Sequence, residues 1–257
     1  MKVLASDLDG TLVHQNVLGD ENKNALKKFT SSGGFFIIST GRPYDSVDKL
    51  VKNHDLKVDY FVLLNGALIT DKNGVSLFQE SISYNNVEKI LEMVNDYDTI
   101  TSLQTGYKSY LLKGVPLFEN DFEKINSLDE ISHKNISLIS LIFKDYDIDE
   151  LDKICDSINK KFGEDIVCYR NTFCIDVVPK GCSKGEGVKF VCERENIDYS
   201  DLYTIGDSFN DISMFNITEN SFTFTECEEG VKKYANNIVN SFSDCVEDFI
   251  LNEAKSV

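Results

Sequence analysis

Short apolar runs and helix-like patterns alternate along the first third of the chain. The apolar runs predict buried strands, and the stretches between them repeat apolar residues at helical spacing. The first helical stretch stops at Gly33-Gly34, the second has Pro43 in its first turn, and a hairpin turns at Asn73-Gly74. The predicted elements are a strand at 2–8, a helix at 21–32, a strand at 35–40, a helix at 41–54, a strand at 60–65 and a hairpin at 67–78.

The pattern changes near Ser81 and returns near Ser183. The middle part predicts helices at 84–97 and 147–162, strands at 99–105, 109–113, 136–143, 166–170 and 173–178, and a loop with a short helix before the third of these strands. The last part predicts a helix at 183–196, a strand at 202–206, a short helix after Asn210, a strand at 221–225, a helix near 227–235 and a terminal helix from Ser243.

These patterns predict an α/β protein with one core and one insertion. Strands that alternate with helices favour a doubly wound parallel sheet with helices on both faces, which we expect for residues 1–81 and 182–257. The two successive strand-helix-strand units in the middle favour a mostly antiparallel α/β module. We therefore expect residues 82–181 to be inserted into the core as a cap.

The composition and net charge of the chain limit which classes of binding partner and which cellular compartment are expected. The chain has 43 acidic and 26 basic residues, a net charge of −17, which argues against nucleic acid or anionic lipid as a main partner. The apolar runs are shorter than a membrane span, and the N-terminus lacks the pattern of a signal peptide. Seven cysteines without a Cys-x-x-Cys pair fit a reducing cytosol. We expect a cytoplasmic protein that is a monomer or a weak homo-oligomer.

Acidic and small polar residues follow four of the predicted core strands. These strand ends read Asp7-Leu8-Asp9-Gly10-Thr11, Ser39-Thr40-Gly41-Arg42, Asn65-Gly66 and Gly206-Asp207-Ser208-Phe209-Asn210-Asp211. The carboxyl ends of parallel strands meet at one edge of the sheet. The side chains of Asp7, Asp9, Asp207 and Asp211 would therefore place four carboxyl groups in one crevice. Such charges repel one another unless a cation neutralises them, and oxygen-only ligands suit Mg²⁺. The sequence therefore predicts a Mg²⁺ site.

Neighbouring residues complete a predicted phosphate site. Thr40 offers a hydroxyl, Gly41 an accessible backbone N–H, and Lys184 a positive charge. A carboxylate beside a metal-held phosphate can attack phosphorus, and a second carboxyl two residues along a strand faces the same way. We predict that Asp7 is the nucleophile and that Asp9 is first general acid and then general base.

Four short motifs resemble those of the haloacid dehalogenase superfamily. They are "DLDGT" from Asp7, "STGR" with Thr40, the lysine of "CSKGEGV", which is Lys184, and "GDSFND" from Gly206. The position of the inserted module and the Asn65-Gly66 pair are similar to the Cof-type phosphatase subfamily. The resemblance covers essentially the whole chain, and it implies a superfamily-type doubly wound core with an inserted α/β cap.

The resemblance also implies residue roles. Asp7 would be the nucleophile and a Mg²⁺ ligand, and Asp9 would bind Mg²⁺ through its backbone carbonyl. Asp207 would be the third protein ligand, with Asp211 close behind it or bridged by water. The phosphate-binding set would be the backbone of Leu8, together with Thr40, Gly41, Lys184 and Asn210.

The expected function is Mg²⁺-dependent hydrolysis of small phosphorylated metabolites, such as sugar phosphates, through an aspartyl-phosphate. The alternatives are a phosphotransferase or sugar-phosphate mutase of the same fold, and a non-catalytic, receiver-like binding protein. Arg42 and Arg170 could each contact an anionic substrate or form a structural ion pair. The sequence does not identify the cap residues that would face the substrate.

Overall fold

A computed structural model describes residues 1–116, 122–144, 147–171 and 174–252. Phe173, at the start of a predicted strand, and residues 253–257, at the end of the predicted core, lie outside the described residues. The strands are β1 (Val3–Ser6), β2 (Phe35–Ser39), β3 (Tyr60–Leu63), β4 (Leu68–Asp71), β5 (Ser76–Gln79), β6 (Thr99–Gln104), β7 (Ser109–Lys113), β8 (Phe122–Lys124), β9 (Leu138–Phe143), β10 (Ile166–Asn171), β11 (Cys174–Pro179), β12 (Leu202–Ile205), β13 (Ser221–Phe224) and β14 (Asn237–Val239). The helices are α1 (Asp20–Ser31), α2 (Tyr44–His54), α3 (Tyr84–Met93), α4 (Ile148–Phe162), α5 (Lys184–Glu195), α6 (Ile212–Phe215), α7 (Glu229–Lys232) and α8 (Phe242–Asp244), which continues as a π-helix (Cys245–Leu251).

The strands of the described chain form two sheets. The larger sheet has the order β14-β13-β12-β1-β2-β3-β4-β5 and is parallel from β14 to β3, whereas β4 and β5 add antiparallel pairs. The smaller sheet has the order β10-β11-β9-β6-β7-β8 and is antiparallel except for the pair β7-β8. Since β6 to β11 are consecutive in the chain, the smaller sheet is built from one continuous segment.

The parallel strands β1, β2, β3, β12 and β13 of the larger sheet are buried on both faces, as expected for parallel strands covered by helices. Side chains alternate across β1, where Leu4 packs with α1, α2 and α8, and Val3 and Ala5 pack with α5. This alternation explains why the strand reads as a continuous apolar run. The smaller sheet has its own apolar cluster, in which α3 and α4 cover one face.

Several predicted boundaries are wrong for identifiable reasons. The first strand ends at Ser6, because the chain turns at Gly10, which has a φ of +83°. The third strand ends at Leu63, since Leu64 and Asn65 have φ values of +52° and +51°. Pro43 caps α2 and does not lie in its first turn. Strands β8 and β14 were not predicted, because three residues are too few for a recognisable pattern.

None of the helices within the described ranges combines the length and the apolar character needed to cross a lipid bilayer.

Candidate active site

The predicted site residues meet where β1, β2 and β12 end, beneath the smaller sheet. A cavity of about 790 Å³ lies between the two sheets at this point. The cavity is lined by Asp7, Asp9, Thr40, Gly41, Lys184, Asp207 and Asn210 from the predicted set. The other two members, Leu8 and Asp211, lie behind this wall and are fully buried. One region of the fold thus collects side chains from positions up to 204 residues apart in sequence.

A buried lysine joins two of the carboxylates. The Nζ atom of Lys184 lies 2.6 Å from Oδ1 of Asp7 and 2.6 Å from Oδ1 of Asp211. Lys184 is 2% exposed and Asp211 is 0% exposed, so water screens this trio little. Lys184 is the first residue of α5, and the hydroxyl of Ser183 caps that helix by accepting from the backbone N–H of Glu186 at 3.0 Å.

Asp211 organises the loop after β12. Its Oδ2 atom accepts hydrogen bonds from the backbone N–H groups of Asp207 and Ser208, both at 2.9 Å. With Oδ1 bound to Lys184, both carboxylate oxygens of Asp211 have donors in contact. The carboxyl group approaches Gly206 so closely that a Cβ there would lie 2.3 Å from its Cγ atom. Only glycine fits at this position.

The turn after β1 packs directly against Asp207. Gly10 has a left-handed φ of +83°, and a Cβ there would lie 2.4 Å from Oδ2 of Asp207. The next residue, Thr11, donates a hydrogen bond from Oγ1 to Oδ1 of Asp207 at 2.8 Å. Both contacts fix the orientation of the Asp207 carboxylate. No role was predicted for Thr11, although its place in "DLDGT" is the signal that could have indicated one.

The pKa values of Asp7 and Asp207 are raised chiefly by burial and further by neighbouring negative charge. Burial raises the pKa of Asp7 well above its usual range, against the opposing effect of Lys184, and Asp211 and Asp207 raise it further. Burial, with a contribution from Asp211, raises the pKa of Asp207 to about 6. Burial alone would lower the pKa of Lys184, but Asp211 and Asp7 raise it well above its usual range, so the ammonium stays charged. A single lysine does not neutralise this cluster.

The chemistry of the cluster fits a divalent cation. Carboxylate oxygens of Asp7, Asp207 and Asp211 all lie within 4.8 Å of one another. Hard oxygen donors favour Mg²⁺ or Ca²⁺ over softer metals. Asp7 and Asp207 have the more accessible oxygens, whereas those of Asp211 are held by Lys184 and two backbone N–H groups. Asp211 is therefore better placed to support the cation site than to supply its main ligand.

Asp9 lies apart from the acidic cluster and pairs with Arg42. Nε of Arg42 donates to Oδ2 of Asp9 at 2.7 Å, and Nη2 donates to Oδ1 of Asp9 and to Oδ1 of Asn16. The Asp9 side chain is 50% exposed and opens into the cavity. Arg42 is thus an ion-pair partner of Asp9, and because it also lines the cavity, its contact with an anionic substrate stays a prediction.

The groups predicted to hold phosphate line the same part of the cavity. The Thr40 hydroxyl accepts from the backbone N–H of Arg42 at 3.2 Å, which leaves its own proton available for donation. Gly41 and Lys184 lie at the cavity wall, and Leu8 can contribute only through its backbone, because its side chain is in the core. Nδ2 of Asn210 donates one hydrogen bond, to Oδ1 of Asn65 at 3.2 Å, and carries a second N–H.

The smaller sheet supplies the opposite wall, which the sequence analysis did not resolve. Asp176 on β11 is buried, and its Oδ2 accepts from Nδ2 of Asn65 at 3.0 Å. Gln104, at the end of β6, is also buried and lines the cavity, with an Oε1 atom that has no hydrogen-bond partner within the described part of the chain. A lone acid in the otherwise apolar run "FCIDVV" is the signal that could have singled out Asp176.

The sequence matches the family model of haloacid dehalogenase-like hydrolases over residues 4–250. A protein from Mycoplasma capricolum is 29% identical over 233 residues, which cover 83% of this chain and 86% of that protein. The 5-amino-6-(5-phospho-D-ribitylamino)uracil phosphatase YwtE from Bacillus subtilis is 23% identical, with 94% of this chain and 93% of that protein covered.

A solved structure shares the fold over nearly its whole length. The subclass IIB sugar phosphatase BT4131 superposes with a TM-score of 0.81 at 21% identity, covering 99% of this chain and 98% of that one. This likeness confirms the predicted α/β class with a parallel-sheet core.

Proposed function

The chain belongs to the haloacid dehalogenase-like hydrolase family, and we propose that this phosphatase uses Mg²⁺ to hydrolyse phosphomonoesters of small metabolites such as sugar phosphates. The observation that carries the proposal is the cluster of Asp7, Asp207 and Asp211 around the buried Lys184, at the base of a cavity of about 790 Å³. The phosphorylated ribitylamino-uracil in the name of one relative and the sugar phosphatase among the solved structures support this substrate class.

The cation would be held by carboxylate oxygens of Asp7 and Asp207 and by the backbone carbonyl of Asp9, with Asp211 supporting the loop from behind. When bound, Mg²⁺ would neutralise the carboxylates and part of the phosphate charge, so that an anionic oxygen can approach phosphorus. The phosphate oxygens would be held by Thr40, Lys184 and Asn210, and by the backbone at Leu8 and Gly41.

In the first half-reaction, an Asp7 carboxylate oxygen forms a bond to phosphorus as the ester P–O bond breaks. Asp9 donates a proton to the leaving alcohol oxygen, which therefore departs as a neutral alcohol. The side chain of Asp9 opens into the cavity, where both of its oxygens accept from Arg42, so it must release one of these contacts to carry a proton to the leaving oxygen.

In the second half-reaction, Asp9 accepts a proton from water, and the water oxygen forms a bond to the phosphorus of the aspartyl-phosphate. The bond between phosphorus and the Asp7 oxygen breaks, which releases inorganic phosphate and restores both carboxyl groups to their starting states. One residue thus serves as acid and then as base, as in other two-step hydrolases.

We further propose that residues 82–181 act as the cap on a catalytic core of residues 1–81 and 182–257. The smaller sheet would exclude bulk solvent from the site, leaving room for the attacking water, and contact the organic part of the substrate. Its lining residues Gln104 and Asp176 are candidates for those contacts. The seven free cysteines support a cytoplasmic location.

The test is phosphate release from a panel of phosphomonoesters with Mg²⁺, for the wild type and for Asp7→Asn. We expect release by the wild type and a loss on the order of 10⁴-fold or more in the variant, because the nucleophile is removed. Asp45→Asn is the matched control, since Asp45 lines the same cavity but has no part in the proposed chemistry. Release by Asp7→Asn at the wild-type rate would refute the assignment of the nucleophile.

The same panel separates the alternatives. A phosphotransferase or mutase would pass phosphate to an added acceptor alcohol in preference to water, which mass spectrometry of the products detects. A receiver-like binding protein would bind Mg²⁺ and release no phosphate from any ester. Either result would contradict hydrolysis as the main activity.

A further inference from the structure

Arg170, on strand β10 of the smaller sheet, connects that sheet to the core. Its Nη1 and Nη2 atoms donate to Oε1 and Oε2 of Glu228, both at 3.2 Å, and Glu228 lies in the core between β13 and α7. Its Nε atom donates to Oδ1 of Asp152 on α4 at 2.8 Å, a contact within the inserted segment. Arg170 is 7% exposed, whereas the side chains of Asp152 and Glu228 are 53% and 41% exposed, so the guanidinium group is buried and its carboxylate partners reach solvent.

The same guanidinium group lies over an aromatic ring of the core. The Cζ atom of Arg170 is 4.2 Å from the centroid of the Phe209 ring, within the range of a cation–π contact. Phe209 lies in the loop between Asp207 and Asn210. Its ring also lies against Gly230, where a Cβ would be 2.9 Å from the ring. The aromatic side chain is therefore enclosed by the core on one side and by Arg170 on another.

A second contact joins the smaller sheet to the same loop. Asp176 on β11 accepts from Asn65, and Asn65 in turn accepts from Asn210. The loop from Asp207 to Asp211 is therefore held from the inserted segment at two positions, Phe209 and Asn210. This loop also carries the carboxylates of Asp207 and Asp211, so the inserted segment contacts the part of the chain that holds two of the three acids of the cation site.

We propose that Arg170 is a positioning residue, which through Phe209 couples the seating of the inserted segment on the core to the geometry of the cation-binding loop at 207–211. The inference rests on the proposed function, in which that loop supplies Asp207 to Mg²⁺ and Asn210 to phosphate. Arginine suits the position because its planar group donates along its edges and stacks on a ring at the same time, which lysine cannot do.

Coupling of this kind acts in both directions. If contact with Arg170 favours the shape of the loop that binds the cation, then cation binding must favour contact with Arg170. Mg²⁺ alone, without substrate, should therefore protect β10 against opening. We expect the coupling to change the Mg²⁺ affinity and the rate of backbone hydrogen exchange by about tenfold, as is usual for coupled sites.

The test compares four variants with the full-length wild type. Arg170→Lys keeps the positive charge but loses the paired N–H donors to Glu228 and the contact with the Phe209 ring. Phe209→Leu keeps an apolar side chain but loses the aromatic ring. Glu228→Gln keeps the shape of the side chain but loses its negative charge. Asp152→Asn is the matched control, because it removes a carboxylate partner of Arg170 that belongs to the inserted segment. The measurements are backbone hydrogen exchange at 207–211 and in β10, calorimetric Mg²⁺ affinity, and kcat and KM.

We expect Arg170→Lys, Phe209→Leu and Glu228→Gln to speed exchange at 207–211 and to weaken Mg²⁺ affinity, each by about tenfold, whereas Asp152→Asn should change both by less than about twofold. In the wild type, Mg²⁺ should slow exchange in β10, and in Arg170→Lys it should not. At saturating Mg²⁺, kcat should fall in Arg170→Lys, Phe209→Leu and Glu228→Gln, and this fall should be larger than the change in KM.

Two results would overturn the proposal. One is a lower Tm in Arg170→Lys and Phe209→Leu with Mg²⁺ affinity and loop exchange unchanged, which would make these contacts merely structural. The other is an equal effect of Asp152→Asn and Glu228→Gln. Hydrogen exchange and Mg²⁺ affinity need no turnover, so they decide the coupling even if the wild type releases no phosphate. Failure of the proposed function and failure of this inference are thus distinguishable.

Discussion

At the scale of single residues, Gly10 illustrates how a distant side chain dictates identity. Its φ of +83° favours glycine, and the Asp207 carboxylate occupies the space that a Cβ would need. Gly33 has a similar φ of +90°, but nothing lies within 4 Å of its Cβ position. Both glycines therefore have a backbone conformation that disfavours other residues, but only at Gly10 would a Cβ also collide with a neighbouring side chain.

This difference leads to a prediction for Gly10→Ala and Gly33→Ala. Gly33→Ala should lose about 1–2 kcal/mol of stability, because a left-handed backbone strains any residue with a Cβ, and Gly10→Ala should lose more, because its Cβ also displaces Asp207. Only Gly10→Ala should also lose Mg²⁺ binding, since Asp207 must rotate away and give up its hydrogen bond from Thr11. Denaturant unfolding with and without Mg²⁺ measures both quantities. Equal Mg²⁺ stabilisation of the two variants would contradict the assigned role of Asp207.

At the scale of elements, helix α5 begins with residues that have two separate tasks. Ser183 caps the helix and the adjacent Lys184 extends to Asp7 and Asp211. The helix packs against Val3 and Ala5 of β1 through Val188 and Val191. Packing against the sheet therefore sets the position of the α5 axis. The cap formed by Ser183 holds the first turn in helical form, and this sets the backbone position from which the Lys184 side chain extends.

We predict that Ser183→Ala costs about 1 kcal/mol of stability, the usual effect of losing an N-cap. Because the first turn then frays, phosphate should also bind more weakly, with a KM raised about threefold to tenfold. Ser83→Ala is the matched control, since Ser83 caps α3 in the inserted segment by accepting from Asn86. It should cost similar stability with KM unchanged. A raised KM in both variants would argue that only global stability matters.

At the scale of the whole molecule, the cluster of acids links folding to pH and to the cation. In the folded chain the pKa of Asp207 is raised to about 6 and that of Asp7 is raised well above its usual range, chiefly by burial. Between the ordinary pKa of an aspartate, about 4, and the raised values, the folded state holds protons that the unfolded chain releases. Without a cation, these two groups therefore lower stability as the pH rises through this window.

The linkage predicts how Mg²⁺ stabilisation varies with pH. The cation binds the ionised carboxylates, so the Mg²⁺-induced rise in Tm should be small near pH 5 and should grow toward pH 7. Thermal unfolding at each pH, with and without Mg²⁺, measures it. In Asp207→Asn the growth with pH should be strongly reduced. A Mg²⁺ effect that is constant from pH 5 to pH 7 in the wild type would show that protons and cation do not compete at this site.

Much of the fold could be predicted, as could the gathering of the candidate site residues at one edge of the sheet, and the failures have physical causes. The long elements were found because their side-chain pattern reflects burial, as in α4, where Leu151, Ile154 and Ile158 face the sheet. The two three-residue strands were missed, since pairing with neighbours and not local pattern makes them strands. The wall residues Asp176 and Gln104 were not identified, because the face that a short strand presents depends on where its sheet lies.

The order of residues along the chain is enough to specify which functional groups are present and at which edge of the sheet they gather. The motifs identify the functional residues, and the carboxyl ends of parallel strands lie at the same edge of the sheet. The tertiary structure alone decided how those groups are partnered: Lys184 between Asp7 and Asp211, Asp9 on Arg42, and Arg170 on Phe209 and Glu228. The physical reason is that burial, pKa and hydrogen bonding depend on distances between residues far apart in the chain, which no local pattern encodes.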